Sequence, residues 1–532
     1  MQASKYRYKT AHLIYPHYPG DPDKGFAKVT LATLAAMLCD QFELIVSDEV
    51  DCGLADCDIK VDIAFLISLT GHEQRIAELY KEFSSRGVLV VVGGPLATMS
   101  PELIRPHCDI LVKGEIDDDY KQLFQEIASG DHKSEYTYTI ASPTNSPIPR
   151  WDLLPSRHSD GAIQASRGCP YKCEFCLSAK YAGRTMRHKS AAQLISELDN
   201  LYNLNYRFVN FTDDNFTMDS KVAKQLLTEI ADWNSSRTLG QCTFMLMASI
   251  NAARDESLLE HLRDANVRAV FIGIETPIEQ SLRDSHKRHN LSGPPMVEKI
   301  QLFAKYGIMP SIGLTAGFDS DPPDIWQRQL AFIKESSVPI IRGGLLGAIH
   351  NSDLYLRLKR EGREVDQTFM QYPTWLNFDP LCMSRARMHL GLRWLLSNAY
   401  EPSAYGDRMD RMLKIMLESP KSKLYVEPIA EYFVRARMEE YFQELEALGV
   451  EETVLASRGR RYIEEHKESL SAVLPMIAGY LYYRANCLEL GLFHPEYIGV
   501  DLEDLFASEA PESETVKKRV IVDEYAPIKM LS

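Results

Sequence analysis

The sequence predicts an α/β protein: a Rossmann-like open parallel sheet, then a partial (β/α)6 barrel, then a helical carboxyl-terminal region. Three patterns predict it. Short apolar runs alternate with amphipathic stretches over residues 1–130. Further βα units, six in all, repeat over residues 160–350. After residue 384 strand-like runs stop and long helical patterns take over. A chain of 532 residues exceeds one ordinary hydrophobic core, so division into domains is expected.

In the first part, residues 11–15, 42–46, 61–67, 88–92 and 110–112 read as strands, and 30–38, 72–83 and 120–127 as helices. Near-continuous apolar strands separated by helices mark a parallel sheet covered on both faces. Gly93-Gly94-Pro95 and Lys113-Gly114-Glu115 each follow a strand, and ligands bind such sheets at the carboxyl ends of their strands. Residues 131–158, rich in Ser, Thr and Pro, read as a linker with room for a short strand at 136–140. In the barrel, 159–383, strands are expected at 162–166, 207–210, 243–248, 269–273, 311–317 and 340–346. Catalytic groups of a barrel sit at the carboxyl ends of its strands. Helices are expected at 384–397, 405–417, 427–445, 460–464 and 472–490 within the third domain, 384–532.

Composition narrows the function. The formal net charge is −15, which disfavours general binding to nucleic acid or anionic membrane. The first residues lack the apolar core of a signal peptide, and the longest apolar runs are too short to span a bilayer. The expected compartment is the cytoplasm. Ten cysteines in this length do not make a disulfide scaffold, and seven of them are scattered.

The other three are clustered in Ser166-Arg167-Gly168-Cys169-Pro170-Tyr171-Lys172-Cys173-Glu174-Phe175-Cys176. Soft sulfur ligands select iron–sulfur or zinc. A structural zinc would want a fourth ligand, and His188 is the nearest histidine downstream. A [4Fe–4S] cube on Cys169, Cys173 and Cys176 would leave one iron open for a substrate or cofactor.

The CxxxCx(aromatic)C loop resembles that of the radical S-adenosylmethionine superfamily. The PIPRWDLLP approach to the loop, Phe211-Thr212-Asp213-Asp214-Asn215-Phe216, Val270-Phe271-Ile272-Gly273-Ile274-Glu275-Thr276-Pro277, Gly317-Phe318-Asp319-Ser320-Asp321 and Asn377-Phe378 extend the likeness to members with an amino-terminal cobalamin-binding-like domain. Among these it resembles the hopanoid carbon methylase subgroup. The resemblance implies that the open iron binds S-adenosylmethionine, whose reductive cleavage releases a 5′-deoxyadenosyl radical. It places Phe175 near the adenine and Glu275 on S-adenosylmethionine. Asp213, Asp214, Asn215 and Ser249 end strands and are candidates for cofactor contacts. Gly93 and Gly94 resemble the turn that admits a cobalamin tail. Arg342 and His350, at the barrel mouth, are candidates for substrate.

Two departures matter. The cobalt-ligating DxHxxG motif is absent; His17, in Tyr15-Pro16-His17-Tyr18-Pro19-Gly20-Asp21, is the nearest histidine and reads as a loop residue. The segment from Gly20 to Phe26 is also short. The sequence therefore leads to a cobalamin-dependent methyltransferase acting on an unactivated carbon of a small metabolite or lipid, reduced by a flavodoxin or ferredoxin. The alternative is a radical enzyme of the same fold that catalyses rearrangement, carbon–carbon coupling or transfer of another fragment, with or without cobalamin. Oligomeric state is not encoded in any of these patterns.

Overall fold

The computed structural model describes residues 7–18, 27–155, 160–364, 372–424 and 428–508. The 20–26 segment and the tail from residue 509 lie outside the described residues.

The first sheet has six parallel strands: β1 (Thr10–Tyr15), β2 (Glu43–Asp48), β3 (Ile63–Ile67), β4 (Leu89–Gly93), β5 (Ile110–Lys113) and β6 (Glu135–Thr137), in the order β2-β1-β3-β4-β5-β6. Every residue of β3 is buried, as a strand covered on both faces requires. Connections leave β1 toward opposite edges, so a crevice opens between the carboxyl ends of β1 and β3. β6 lies within the 131–158 segment and pairs with β5, Leu111 opposite Glu135. The short strand expected at 136–140 thus lies at Glu135–Thr137 and adds an edge strand to the first sheet.

The second sheet takes β7 (Gly161–Ile163), then, after a short antiparallel pair β8 (Ser166–Arg167) and β9 (Arg187–His188), β10 (Phe208–Phe211), β11 (Thr243–Ala248), β12 (Val267–Glu275), β13 (Met309–Ala316) and β14 (Ile340–Leu345). Its order, β14-β13-β12-β11-β10-β7, is parallel throughout, giving the six-stranded partial barrel. β12 bulges between Gly273 and Glu275, and Glu275 takes a left-handed φ of 66°. Bulges of this kind re-aim a side chain beside a site.

Among the described residues, the carboxyl-terminal helices share their buried apolar side chains with the barrel. One buried apolar cluster runs from the barrel strands into them. Helix Arg385–Ala399 packs on β14 and on helix Ile325–Ser336, and Gly391 lies so close to the Trp326 indole that a Cβ would not fit. Tyr400 bonds both backbone groups of Ile341, its hydroxyl accepting from the N–H at 3.1 Å and donating to the carbonyl at 2.7 Å. Arg408, fully buried, donates to the Val338 carbonyl at 2.9 Å. The expected short helix at 460–464 is part of a longer one, Val450–Glu465.

The two sheets meet along polar seams. Arg167 donates to Asp117 at 2.6 Å, and Arg187 pairs with Glu115. On another side, Ser100 and His350 share a hydrogen bond of 2.8 Å, and Asn351 donates to the Met99 carbonyl at 2.7 Å.

Candidate functional site

The cysteine loop leaves β8 through Gly168, whose φ is +97° and whose absent Cβ would lie 2.5 Å from the Thr185 carbonyl oxygen. Only glycine fits there without strain. Three attachments then fix the loop. The Cys169 N–H donates to Gly183 O at 3.0 Å. The Tyr171 ring stacks on His289 with centroids 3.6 Å apart and planes 3° from parallel. Glu174 is buried and accepts a fork from Arg357, 3.1 Å from Nε and 3.0 Å from Nη2, while its backbone bonds Ser285 and Leu354.

Cys169, Cys173 and Cys176 are half-buried on this loop. Burial pushes the Cys173 thiol up to about 12, and charge on the other two thiols would push the same way while Lys287 opposes. The Cys169 thiol is raised as well, first by burial. Clustered thiol sulfurs suit a soft, sulfur-seeking metal partner. Among the described residues no group of three His, Cys, Asp or Glu side chains could hold a metal ion. A cubane spreads its cysteines over three irons rather than gathering them on one.

Phe175 packs against the barrel's buried cluster, with the Phe318 ring 6.0 Å away and Lys287 Nζ 5.8 Å from its centroid. Glu275 forms an ion pair with Lys287 and lies 3.4 Å from the Thr315 hydroxyl. Both side chains are mostly withdrawn from solvent.

The second-strand motif divides by role. Asp213 is wholly buried and accepts from Ala165 N at 3.0 Å and Ser166 Oγ at 2.5 Å. Burial pushes its carboxyl up to about 6. It turns inward to brace the β7–β8 corner, not outward to a ligand. Asp214 does face the cavity, held by Ser178 Oγ at 2.6 Å and the Tyr181 hydroxyl at 3.4 Å. The Asn215 side-chain Oδ1 accepts from Ser249 N at 3.2 Å, and Ser249 Oγ caps the turn that follows by accepting from Asn251 N. Asn215 and Ser249 thus build the loop after β11.

One cavity of about 550 Å³ joins the two sheets. Its inner part lies among Leu13, Phe65, Val91 and Leu123, at the β1/β3 crevice. Its outer part reaches Asp214, Met245, Met247 and Arg342 in the barrel. Gly93 and Gly94 line it, with different constraints. A Cβ on Gly93 would make ordinary contact with Val112 at 3.5 Å, whereas Gly94, at φ +122°, would drive one to 2.7 Å from the Ser68 carbonyl oxygen. The glycine at 94 serves the turn itself. Arg342 donates from Nε to the Tyr483 hydroxyl at 2.5 Å. His350 instead joins the seam to Ser100. The His17 N–H lies 3.3 Å from a Glu49 oxygen, and His17 is not among the described residues lining the cavity.

Sequence reasoning missed Lys287, the Tyr171–His289 stack, Tyr181 and Tyr483. Lys287 follows Glu275 by twelve positions across a helix and a turn, and no local pattern announces such a pairing.

A model of the radical S-adenosylmethionine superfamily matches residues 163–327, and a domain of unknown function, DUF4070, matches 352–450. An uncharacterized methyltransferase of Synechocystis, sll1242, is 32% identical over 405 residues, covering 74% of each chain. The chain belongs to the radical S-adenosylmethionine superfamily. It is also 32% identical to the hopanoid C-2 methylase of Rhodopseudomonas palustris over 343 residues, 63% of this chain and 64% of that protein, so it spans just under two thirds of that relative. Two solved radical S-adenosylmethionine enzymes share the fold. The methyltransferase TsrM from Kitasatospora setae, with tryptophan substrate and a S-adenosylmethionine analogue bound, superposes with a TM-score of 0.56 at 16% identity, over 71% of this chain and 82% of that one. The cobalamin-dependent enzyme OxsB superposes with a TM-score of 0.58 at 14% identity, over 94% of this chain and 84% of that one. As a radical S-adenosylmethionine enzyme, the chain carries its cysteine loop within the matched segment. No helix among the described residues is long and apolar enough to cross a membrane.

Proposed function

We propose that this enzyme is a cobalamin-dependent radical S-adenosylmethionine methyltransferase that acts on an unactivated carbon of a small metabolite or lipid. The observation that carries this reading is a continuous cavity whose lining runs from the ends of β1 and β3 to barrel residues such as Asp214 and Met245. A cofactor whose tail lies among the apolar side chains of the first sheet would present its other end to the barrel interior. Similarity to the Synechocystis methyltransferase and the hopanoid methylase supports methyl transfer as the outcome.

When bound, the cluster with S-adenosylmethionine supplies a carbon-centred radical, and cobalamin supplies a methyl group. The chain's own residues do the rest. Cys169, Cys173 and Cys176 hold the cluster. Phe175 packs beside the site, and Glu275 with Lys287 offers one negative and one positive group to the zwitterionic end of S-adenosylmethionine. Asp214, held by Ser178 and Tyr181, offers a carboxylate at the cavity wall. The partly apolar walls exclude water, which protects radical chemistry from side reactions. Cytoplasmic reduction by a flavodoxin or ferredoxin accompanies this reading.

The test is anaerobic. Reconstituted protein is mixed with hydroxocobalamin, and retained cobalt is measured after desalting. It is then incubated with methyl-labelled S-adenosylmethionine and extract of the producing cell. Retained cobalamin and a labelled product are expected. Cleavage of S-adenosylmethionine without cobalamin retention would replace methyl transfer by rearrangement or coupling.

A further inference from the structure

At the barrel end of the cavity one carboxylate stands without a counter-charge. Asp214 follows β10 and lines the cavity with Thr212, Met245 and Met247. Ser178 Oγ donates to its Oδ1 at 2.6 Å, and the Tyr181 hydroxyl donates to the same oxygen at 3.4 Å. Both donors belong to the short helix Ser178–Tyr181 that follows the cysteine loop, so the carboxylate is held where that loop meets the cavity. Oδ2 has no protein partner among the described residues, and it is not sealed from the cavity. Other carboxylates withdrawn into the barrel have cations: Glu174 is forked by Arg357, Glu197 pairs with Lys189, and Glu275 pairs with Lys287. Asp214 has none among the described residues. Burial pushes its carboxyl up, and only the hydroxyls of Ser178 and Tyr181 oppose.

We infer that Asp214 receives a protonated nitrogen of the substrate on its open oxygen, while the substrate's apolar body lies along Met245 and Met247. This rests on the reading of the cavity as the reaction chamber and adds the substrate's chemical class to it. A carboxylate withdrawn from water and left without a cation is costly. A hydroxyl would fill the open acceptor site and leave the charge uncompensated. An ammonium N–H fills the site and compensates the charge together. Ser178 and Tyr181 both occupy Oδ1, which fixes the carboxylate and leaves Oδ2 to the ligand. The methionines offer apolar surface that adapts to the shape laid on it. Position also carries the reasoning. The Asp214 charge is felt at the Cys169 thiol, so a substrate tethered here lies beside the cluster loop, with its carbons at a fixed reach from the source of the radical.

The test uses cluster-loaded enzyme under nitrogen and calorimetric titration with three probes of one chain length: hexylammonium, hexanol and hexanoate. Wild-type enzyme should bind hexylammonium roughly tenfold or more tightly than either of the others. Asp214→Asn, which keeps an acceptor oxygen for Ser178 and removes the charge, should erase that preference at unchanged iron content and circular dichroism. Equal affinity for the three probes in the wild type would overturn the inference, whatever the variant does. A preference that survives in Asp214→Asn would overturn it as well, because the ammonium would then sit elsewhere on an acidic chain. S-adenosylmethionine affinity is measured in both forms by equilibrium dialysis. A loss there as large as the loss of ammonium binding would give the carboxylate to the cofactor and also overturn the inference. Dithionite-driven cleavage of S-adenosylmethionine by the wild-type holoenzyme is measured alongside: its failure would strike the reaction-chamber reading and leave the ammonium preference standing as a separate result.

Discussion

Glu275 and Lys287 form an ion pair laid against the bare Cα of Gly273, where a Cβ would come within 2.6 Å of Glu275 Oε1 and 2.8 Å of Lys287 Nζ. The pair occupies the barrel beside the Phe175 ring. Glu275→Gln should weaken S-adenosylmethionine binding by about 1.5–3 kcal/mol, the worth of one charge-assisted hydrogen bond, with iron content unchanged. Equilibrium dialysis against labelled S-adenosylmethionine measures it. Unaltered affinity would place the pair in folding alone.

The three cysteines are expected to act as a set. Alanine at Cys169, Cys173 or Cys176 should abolish a stable [4Fe–4S] cluster after anaerobic reconstitution, read as iron and sulfide per chain. A full cluster with intact S-adenosylmethionine cleavage in all three variants would remove the assignment.

Glycine substitutions separate the cysteine loop from the first sheet. Gly168→Ala and Gly94→Ala each force a side chain into the left-handed region and against a carbonyl oxygen, at a cost of about 1–3 kcal/mol for the backbone alone. Gly168→Ala should lose iron, and Gly94→Ala should lower the urea midpoint. Gly93→Ala, which meets only Val112 at contact distance, should stay within about 1 kcal/mol of wild type.

Asp213 gives a pH signature. Its folded carboxyl is raised from 3.8 to about 6 by burial. A native state that holds its proton longer than the unfolded chain gains stability at low pH and loses it as pH rises from about 4 through about 6. Asn at this position accepts from Ala165 N and donates to Ser166 Oγ, so Asp213→Asn keeps both bonds without the charge. Wild-type stability relative to that variant should therefore fall by up to about 3 kcal/mol between pH 4 and 7. Urea unfolding at each pH measures the difference, and parallel curves would refute the shift. S-adenosylmethionine affinity should be unaffected, because Asp213 faces away from the cavity.

Cobalamin, if retained, should carry no protein ligand on cobalt. His17→Ala is expected to keep most of the binding, and electron paramagnetic resonance of the cobalt(II) state should show no nitrogen splitting from a histidine. Such splitting would overturn this.

Much of this arrangement was legible because its signals are local. Parallel strands buried on both faces are unbroken apolar runs, so β3 and β4 stand out in the sequence. The cysteine loop is contained within eight consecutive residues. What was not legible depends on contacts distant along the chain. Asp213 and Asp214 are neighbours of one type, and only the fold of β7 and β8 decides which is buried. His350 looked like a barrel-mouth group, yet its partner Ser100 is 250 positions away. The helices after residue 384 carry apolar faces that declare burial without naming the partner, and the partner proved to be the barrel.

The seams between the two sheets bear on how firmly the halves are held. Arg167–Asp117 and Arg187–Glu115 are ion pairs whose side chains are largely withdrawn from water, and Ser100–His350 and Asn351–Met99 join the sheets on another side. Removing one partner of a buried pair strands the other charge without water, at a cost of about 3–5 kcal/mol. Behind the seams Ala27, Ala32 and Trp151 of the first part join the barrel's buried cluster. The walls of the chamber are thus clamped by charge and packing together, and the two sheets behave as one frame.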